Sequence, residues 1–200
     1  TRAISVVGRP RSSMSELIAL ARTKPGALLY GTGSTGTALH VAGEMFMIAT
    51  GVKISRVPYK STGPALLGLL TNEVHMVFAT PGGTMSRVKD GRLQALGVTS
   101  AQPSPLILRV PTLASQGLKG YELDTIGFIL GPAKTPAPLV KSLNRHVVRI
   151  MHQGDVKERM AAGGSEVVTG TPEELATKLK TDDARMRKLY KTIGLAAEKL

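Results

Sequence analysis

The 200-residue sequence predicts an α/β fold with a doubly wound sheet, on three observations. Short apolar runs of strand length alternate with helix-length segments four times in about the first hundred residues. Proline and glycine stand at the joints between them. One joint, Gly31-Thr32-Gly33-Ser34-Thr35-Gly36, is a glycine loop leading from a strand into a helix.

In chain order, Ile4–Val7 is a short apolar strand, and Ser13 or Ser15 caps a helix carrying Leu17, Ile18 and Leu20 that Pro25-Gly26 ends. Ala27–Tyr30 is a strand that enters the glycine loop. The helix of about Thr37–Thr50 follows, with Leu39, Ala42, Phe46 and Ala49 at helical spacing and Gly51 closing it. Ile54–Val57 is the next strand. Pro64 then occupies a first helical turn, where its missing N–H costs nothing, ahead of Leu66, Leu67 and Leu70. Val74–Phe78, the helix Met85–Lys89 and the strand Leu93–Val98 complete a sheet expected to be parallel.

After Thr99 the pattern changes. A proline-punctuated stretch from Pro103 to Pro111 leads to a short helix at Thr112–Gly117 and an apolar strand at Thr125–Leu130. Three helices follow: one opened by Pro136 and Pro138 with Leu139, Val140, Leu143, Val147 and Ile150; a second over Asp155–Ala162; and a third entered through Thr171-Pro172-Glu173-Glu174. They have no sheet of their own to cover.

Composition excludes several function classes. No apolar run approaches the roughly 20 residues of a bilayer span. Without cysteine there is neither a disulfide nor a Cys-ligated metal. The 26 Lys and Arg against 14 Asp and Glu give a formal charge of +12, which favours anions in general. Four Tyr, three Phe and no Trp, with scattered basic residues from Arg9 and Arg11 to Arg185, Arg187, Lys188 and Lys191, do not make the aromatic and basic footprint of a nucleic-acid binder. His40, His75, His146 and His152 lack metal spacing, and no G-x-S-x-G elbow is present. The expectation is a binder, with no catalytic residue, metal or cofactor.

Gly31, Gly33 and Gly36 spell G-x-G-x-x-G, yet no lysine follows Gly36 to reach nucleoside phosphates. The acidic residue that holds a dinucleotide ribose about 20 positions on is replaced by Lys53-Ile54-Ser55-Arg56. Arg56 leaves an NADP reading open. The loop supplies hydroxyls at Thr32, Ser34, Thr35 and Thr37 and free amides at a helix N-terminus, chemistry suited to a small carboxylate. The alternative is a tight turn with hydroxyl caps and no ligand.

Tyr30-Gly31-Thr32-Gly33-Ser34-Thr35-Gly36-Thr37 with His40 and Glu44, then Val57-Pro58-Tyr59-Lys60 with Gly63-Pro64-Ala65, resembles the Bug family, the TctC-like solute-binding proteins of tripartite tricarboxylate transporters. Leu96-Gly97-Val98-Thr99-Ser100, Val110-Pro111-Thr112, Gly117-Leu118 with Gly120-Tyr121-Glu122, Gly131-Pro132-Ala133 with Thr135-Pro136, and Gly170-Thr171-Pro172-Glu173-Glu174 continue the resemblance in order.

The resemblance implies a type II periplasmic-binding-protein (Venus-flytrap) architecture. It implies one complete doubly wound lobe plus the C-terminal part of the other, the chain being shorter at its start than the family pattern. Residues 1–8 are then a hinge strand, 9–122 the ligand-binding second domain, 123–131 a return hinge strand beside the first, and 132–200 the helical part of the first domain. A periplasmic location and membrane transporter subunits as partners follow from the resemblance alone, since no basic-then-apolar leader opens the sequence.

The carried-over cradle falls on Gly31, Thr32, Ser34, Thr35, Gly36 and Thr37. His40 one turn on is a ligand contact or a structural hydrogen-bonder; Tyr59 and Lys60 lie on the loop after the next strand, where Lys60 is equally a solvated charge. Many family members carry an aspartate after the strand Val74–Phe78. This sequence has Ala79 and Thr80, which argues for a ligand without an ammonium group, such as a dicarboxylate, an aromatic acid or a nicotinate-like acid. The effector-sensing domain of a LysR-type regulator is the alternative of similar size and architecture.

Overall fold

The structure is a computed structural model that describes residues 5–8, 13–107 and 109–195. Ile4, Arg9 and Arg11 lie outside the described residues. The chain divides into two units, Thr1–Ile126 with Gly163–Ser165, and Gly127–Ala162 with Glu166–Leu200.

Unit 1 is a five-stranded sheet of β1 (Ser5–Gly8), β2 (Leu29–Thr32), β3 (Ser55–Pro58), β4 (Met76–Ala79) and β5 (Gln94–Val98), in the order β3-β2-β4-β1-β5. The helices between strands are α1 (Met14–Thr23), α2 (Ala38–Thr50), α3 (Thr62–Leu70) and α4 (Pro81–Lys89). β2 pairs in parallel with β3 on one side and β4 on the other. The chain therefore steps outward through α2 and returns across β2 through α3.

Alternation along β2 shows which helix covers which face, because successive side chains point to opposite sides. Tyr30 faces α2, where a methyl group on Gly43 would overlap its ring. Phe46 of α2 and Tyr30 both meet Phe78 of β4 edge-on, with ring centroids 6.1 and 5.7 Å from it. The neighbouring Gly31 faces α3: a methyl there would sit 3.1 Å from Val77 Cγ2 and 3.4 Å from Ala65 Cβ. On that face Ala65, Leu66, Leu69, Val74, Val77, Ala79 and Leu93 form one buried cluster.

Two expectations differ from the structure. β1 runs antiparallel to both β4 and β5, so the sheet is mixed rather than all-parallel. Strand and helix alternate in either case. β1 ends at the edge where β2 begins, so the connection through α1 needs no crossover. Thr125–Leu130 is not a strand. β1 is instead an inner strand of the unit 1 sheet, and the expected pairing between the two does not occur. A strand persists only when its N–H and C=O groups are paired, and Phe128, Ile129 and Leu130 are exposed here.

A short 3-10 helix, Ala114–Gln116, follows β5, and Tyr121 beyond it donates its hydroxyl to the Ala42 carbonyl at 2.5 Å. Unit 2 contains α5 (Ala137–Met151), α6 (Gly154–Ala162) and α7 (Pro172–Thr192). Asn144 reaches the Gly170 carbonyl and His152 the Thr169 hydroxyl, both at 3.0 Å. Thr171 and Glu174 form a capping box at the start of α7. None of the three helices buries a residue.

Candidate functional site

Because β2, β3 and β4 are parallel, the segments after them emerge on one edge of the sheet, and the N-termini of α2, α3 and α4 meet there. β2 lies between the outgoing and returning connections. This is the switch point at which open α/β sheets leave a crevice for ligands.

The glycine loop is built from inside outward. Gly31 is buried against Val77, Tyr59 and Ala65, where a larger residue does not fit. Thr32 is fully buried and its hydroxyl has no partner, although its carbonyl accepts the Tyr59 N–H at 2.8 Å. Ser34, Thr35, Gly36 and Thr37 are exposed. Gly36 has φ +80°, the left-handed region that glycine adopts without strain, and a methyl there would meet nothing within 4 Å. Its requirement is conformational.

Thr37 is the N-cap of α2. Its hydroxyl accepts the His40 N–H at 3.4 Å and donates to the Ser34 carbonyl at 2.8 Å. Helix geometry leaves the next two amides, Ala38 and Leu39, without an intrahelical acceptor. These are the donors that the loop presents at its mouth, and the sequence reading did not name them. A helix N-terminus is recognisable from its cap, but which amides stay free depends on the folded bonds around it.

His40 is buried, and both its ring nitrogens are engaged within the protein. Nδ1 accepts the Gly36 N–H at 3.1 Å, and Nε2 lies 3.3 Å from Glu44 Oε1, which also accepts the Tyr30 hydroxyl at 3.1 Å. Burial first, and the Arg56 charge second, hold the imidazole below its ordinary pKa and outweigh the pull of Glu44. The contact with Glu44 is therefore a hydrogen bond from a neutral ring at neutral pH. Burial and the Glu44 carboxylate push the Tyr30 phenol upward, so it remains a donor.

Arg56, considered from sequence only as a 2′-phosphate partner, donates from Nη2 to Thr35 Oγ1 at 2.9 Å; its buried Nη1 has no partner. It is a further residue of this edge. Tyr59 packs its ring against Gly31 and Gly68 and donates its hydroxyl to Glu73 at 3.2 Å. Lys60 is exposed. Ser61 and Thr80 are the N-caps of α3 and α4, and neither hydroxyl is used in capping. The structure thus brings Thr32, Ser34–Thr37, Lys60 and Thr80 to one edge, while His40 and the Tyr59 hydroxyl face the protein.

The electrostatics of the edge are one-sided. The first turns of α2, α3 and α4 contain no acidic residue, whereas α1 of the same unit carries Glu16 there. Within unit 1, α1, which does not start at this edge, is compensated at its positive end by its own carboxylate. The helices that converge on it are not. Among the described residues no group of His, Asp and Glu suited to a metal ion is present.

The sequence profile described as the Tripartite tricarboxylate transporter family receptor matches residues 3–195. A UPF0065 protein of a Pseudomonas species, from the tcbD-tcbE intergenic region, is 31% identical over 177 residues, which are 88% of this chain and 53% of that protein. An R. palustris protein solved with adipate shares the fold at TM-score 0.83 and 31% identity over 98% of this chain and 67% of its own. The periplasmic binding protein BugD does so at TM-score 0.85 and 27% identity, over 98% and 68%. The chain spans about half the length of that Pseudomonas relative and about two thirds of each solved chain.

Proposed function

The chain belongs to the tripartite tricarboxylate transporter receptor family, as its motifs implied, and from that premise we propose that it captures a small carboxylate outside the cytoplasm for uptake by the membrane subunits of such a transporter. The fold is of the periplasmic-binding-protein type, with a doubly wound α/β lobe in unit 1.

The observation that carries the carboxylate reading is the convergence of three helix N-termini without a single acidic residue in their first turns. A carboxylate placed there receives the Ala38 and Leu39 amides and the partial positive charge of α2, with the Ser34 and Thr32 hydroxyls at the same edge. An ammonium finds no anionic partner in Gly33–Ala38, Tyr59–Gly63 or Thr80–Gly83. The ligand is accordingly a carboxylate without a positive charge, and a linear dicarboxylate such as the adipate bound by the R. palustris relative is the first candidate.

Calorimetric titration with adipate and, separately, with 1,6-diaminohexane tests this. Binding of the diacid alone is expected. Binding of the diamine, or of neither, contradicts the reading. The reductase and regulator alternatives gain no observation of their own, the candidate 2′-phosphate partner Arg56 being bonded to Thr35.

A further inference from the structure

Beneath the exposed loop lies a chain of polar groups that no ligand needs to touch. Tyr30 on β2 and His40 on α2 share one oxygen of Glu44, and His40 extends its other nitrogen to the amide of Gly36. The phenol and the Nε2–H both donate to the carboxylate. Nδ1 is therefore left as the acceptor, and the Gly36 N–H satisfies it. The tautomer is set by the network.

We propose that His40 is a positioning residue whose neutral imidazole, clamped between Glu44 and the Gly36 amide, holds the glycine loop in the turn that opens the Ala38 and Leu39 amides to a ligand, and that protonation of Nδ1 releases the loop. This rests on the reading of that loop as the carboxylate cradle. The reason is one of donor count. A proton added to His40 goes to Nδ1, the one nitrogen without a hydrogen, and converts the acceptor of the Gly36 N–H into a second donor facing it. Two donors cannot bond, so the Gly36 N–H loses this acceptor. Gly36 is the left-handed residue of the loop, and the bond fixes the orientation of its peptide group.

The groups around the ring set where this happens. On its own helix Glu44 favours the charged ring. From β3 the Arg56 guanidinium opposes it, and burial opposes it more strongly. Tyr30 from β2 stays neutral and acts through Glu44. Tyr121, from the segment after the 3-10 helix, is also neutral and bonds to the Ala42 carbonyl rather than to the imidazole. The release thus belongs to pH values below the ordinary histidine value.

The test is nuclear magnetic resonance of the 15N-labelled chain without ligand. Expected are an unprotonated Nδ1 at neutral pH, a Gly36 amide resonance that moves with the His40 titration midpoint, and exchange of that amide about tenfold faster in His40→Leu, as expected for loss of one hydrogen bond. His40→Asn places an oxygen where Nδ1 was. It should restore slow exchange and abolish the pH dependence, which a merely space-filling role for the ring would not predict. A Gly36 amide indifferent to His40 titration, or equally protected in folded His40→Leu, overturns the relay. Because no ligand enters the readout, failure of the carboxylate reading is a separate result.

Discussion

Gly43 on α2 lies so close under the Tyr30 ring on β2 that a single methyl group at Gly43 would overlap Cε2, Cζ and the hydroxyl oxygen. That contact sets how near α2 sits to the sheet, and with it the position of the loop the helix begins from.

Gly43→Ala is therefore expected to destabilise unit 1 by about 1–3 kcal/mol, the usual cost of overpacking a core. This is in spite of the roughly 1 kcal/mol by which alanine exceeds glycine in helix propensity. Thermal melting checks it, and an unchanged or raised melting temperature would show that α2 is free to move outward.

The pH dependence of stability should carry the mark of His40. Its folded pKa is depressed below the ordinary value near 6.5, so above that pH the ring is neutral in both states and its contribution is fully present. As pH falls from 6.5 through the lower folded value, the unfolded chain binds the proton first and the contribution is lost. Melting temperature is expected to fall over that window, and His40→Asn should remove this part of the slope. A slope of opposite sign in wild type would mean that Glu44 outweighs burial.

Much of this site is local chemistry, which is why the sequence disclosed it. The Thr37 and Thr171 caps, the Gly51 stop and the proline in the first turn of α3 each act within a few residues. The partnerships that orient the loop act across the fold. Arg56 and Thr35 are 21 positions apart and Tyr121 and Ala42 are 79 apart, and no spacing rule links them. The sense of β1 was illegible because a strand followed by a helix leaves the direction of the next strand open. Thr125–Leu130 has the composition of a strand, but composition does not supply a neighbour to pair with. The acid-free first turns of α2, α3 and α4 were visible from the start; they acquire meaning only when the strand order brings the three ends to one edge.

Gly36 and Lys60 should differ sharply in their importance. Gly36→Val places a branched side chain at φ +80°, a strain of about 1–2 kcal/mol, and displaces the amides that follow. Lys60→Ala removes an exposed charge and should alter stability by no more than about 0.5 kcal/mol. In a titration with adipate, the valine variant is expected to weaken binding much more than the alanine variant. The reverse order would move the recognition of the carboxylate from the loop to the lysine.

The most direct measurement pairs adipate titration with thermal melting in Ala38→Glu. A carboxylate in the first turn of α2 complements the helix dipole, so the variant should be as stable as wild type or more so by about 0.3–1 kcal/mol. The same charge stands where the ligand's carboxylate would sit, so adipate-induced shifts of the amide resonances of Gly33–Leu39 should disappear. Stability held or raised together with binding lost is the result this account predicts. Undiminished binding by a folded Ala38→Glu chain would contradict it, because the N-terminus of α2 would then not be the place where the anion is held.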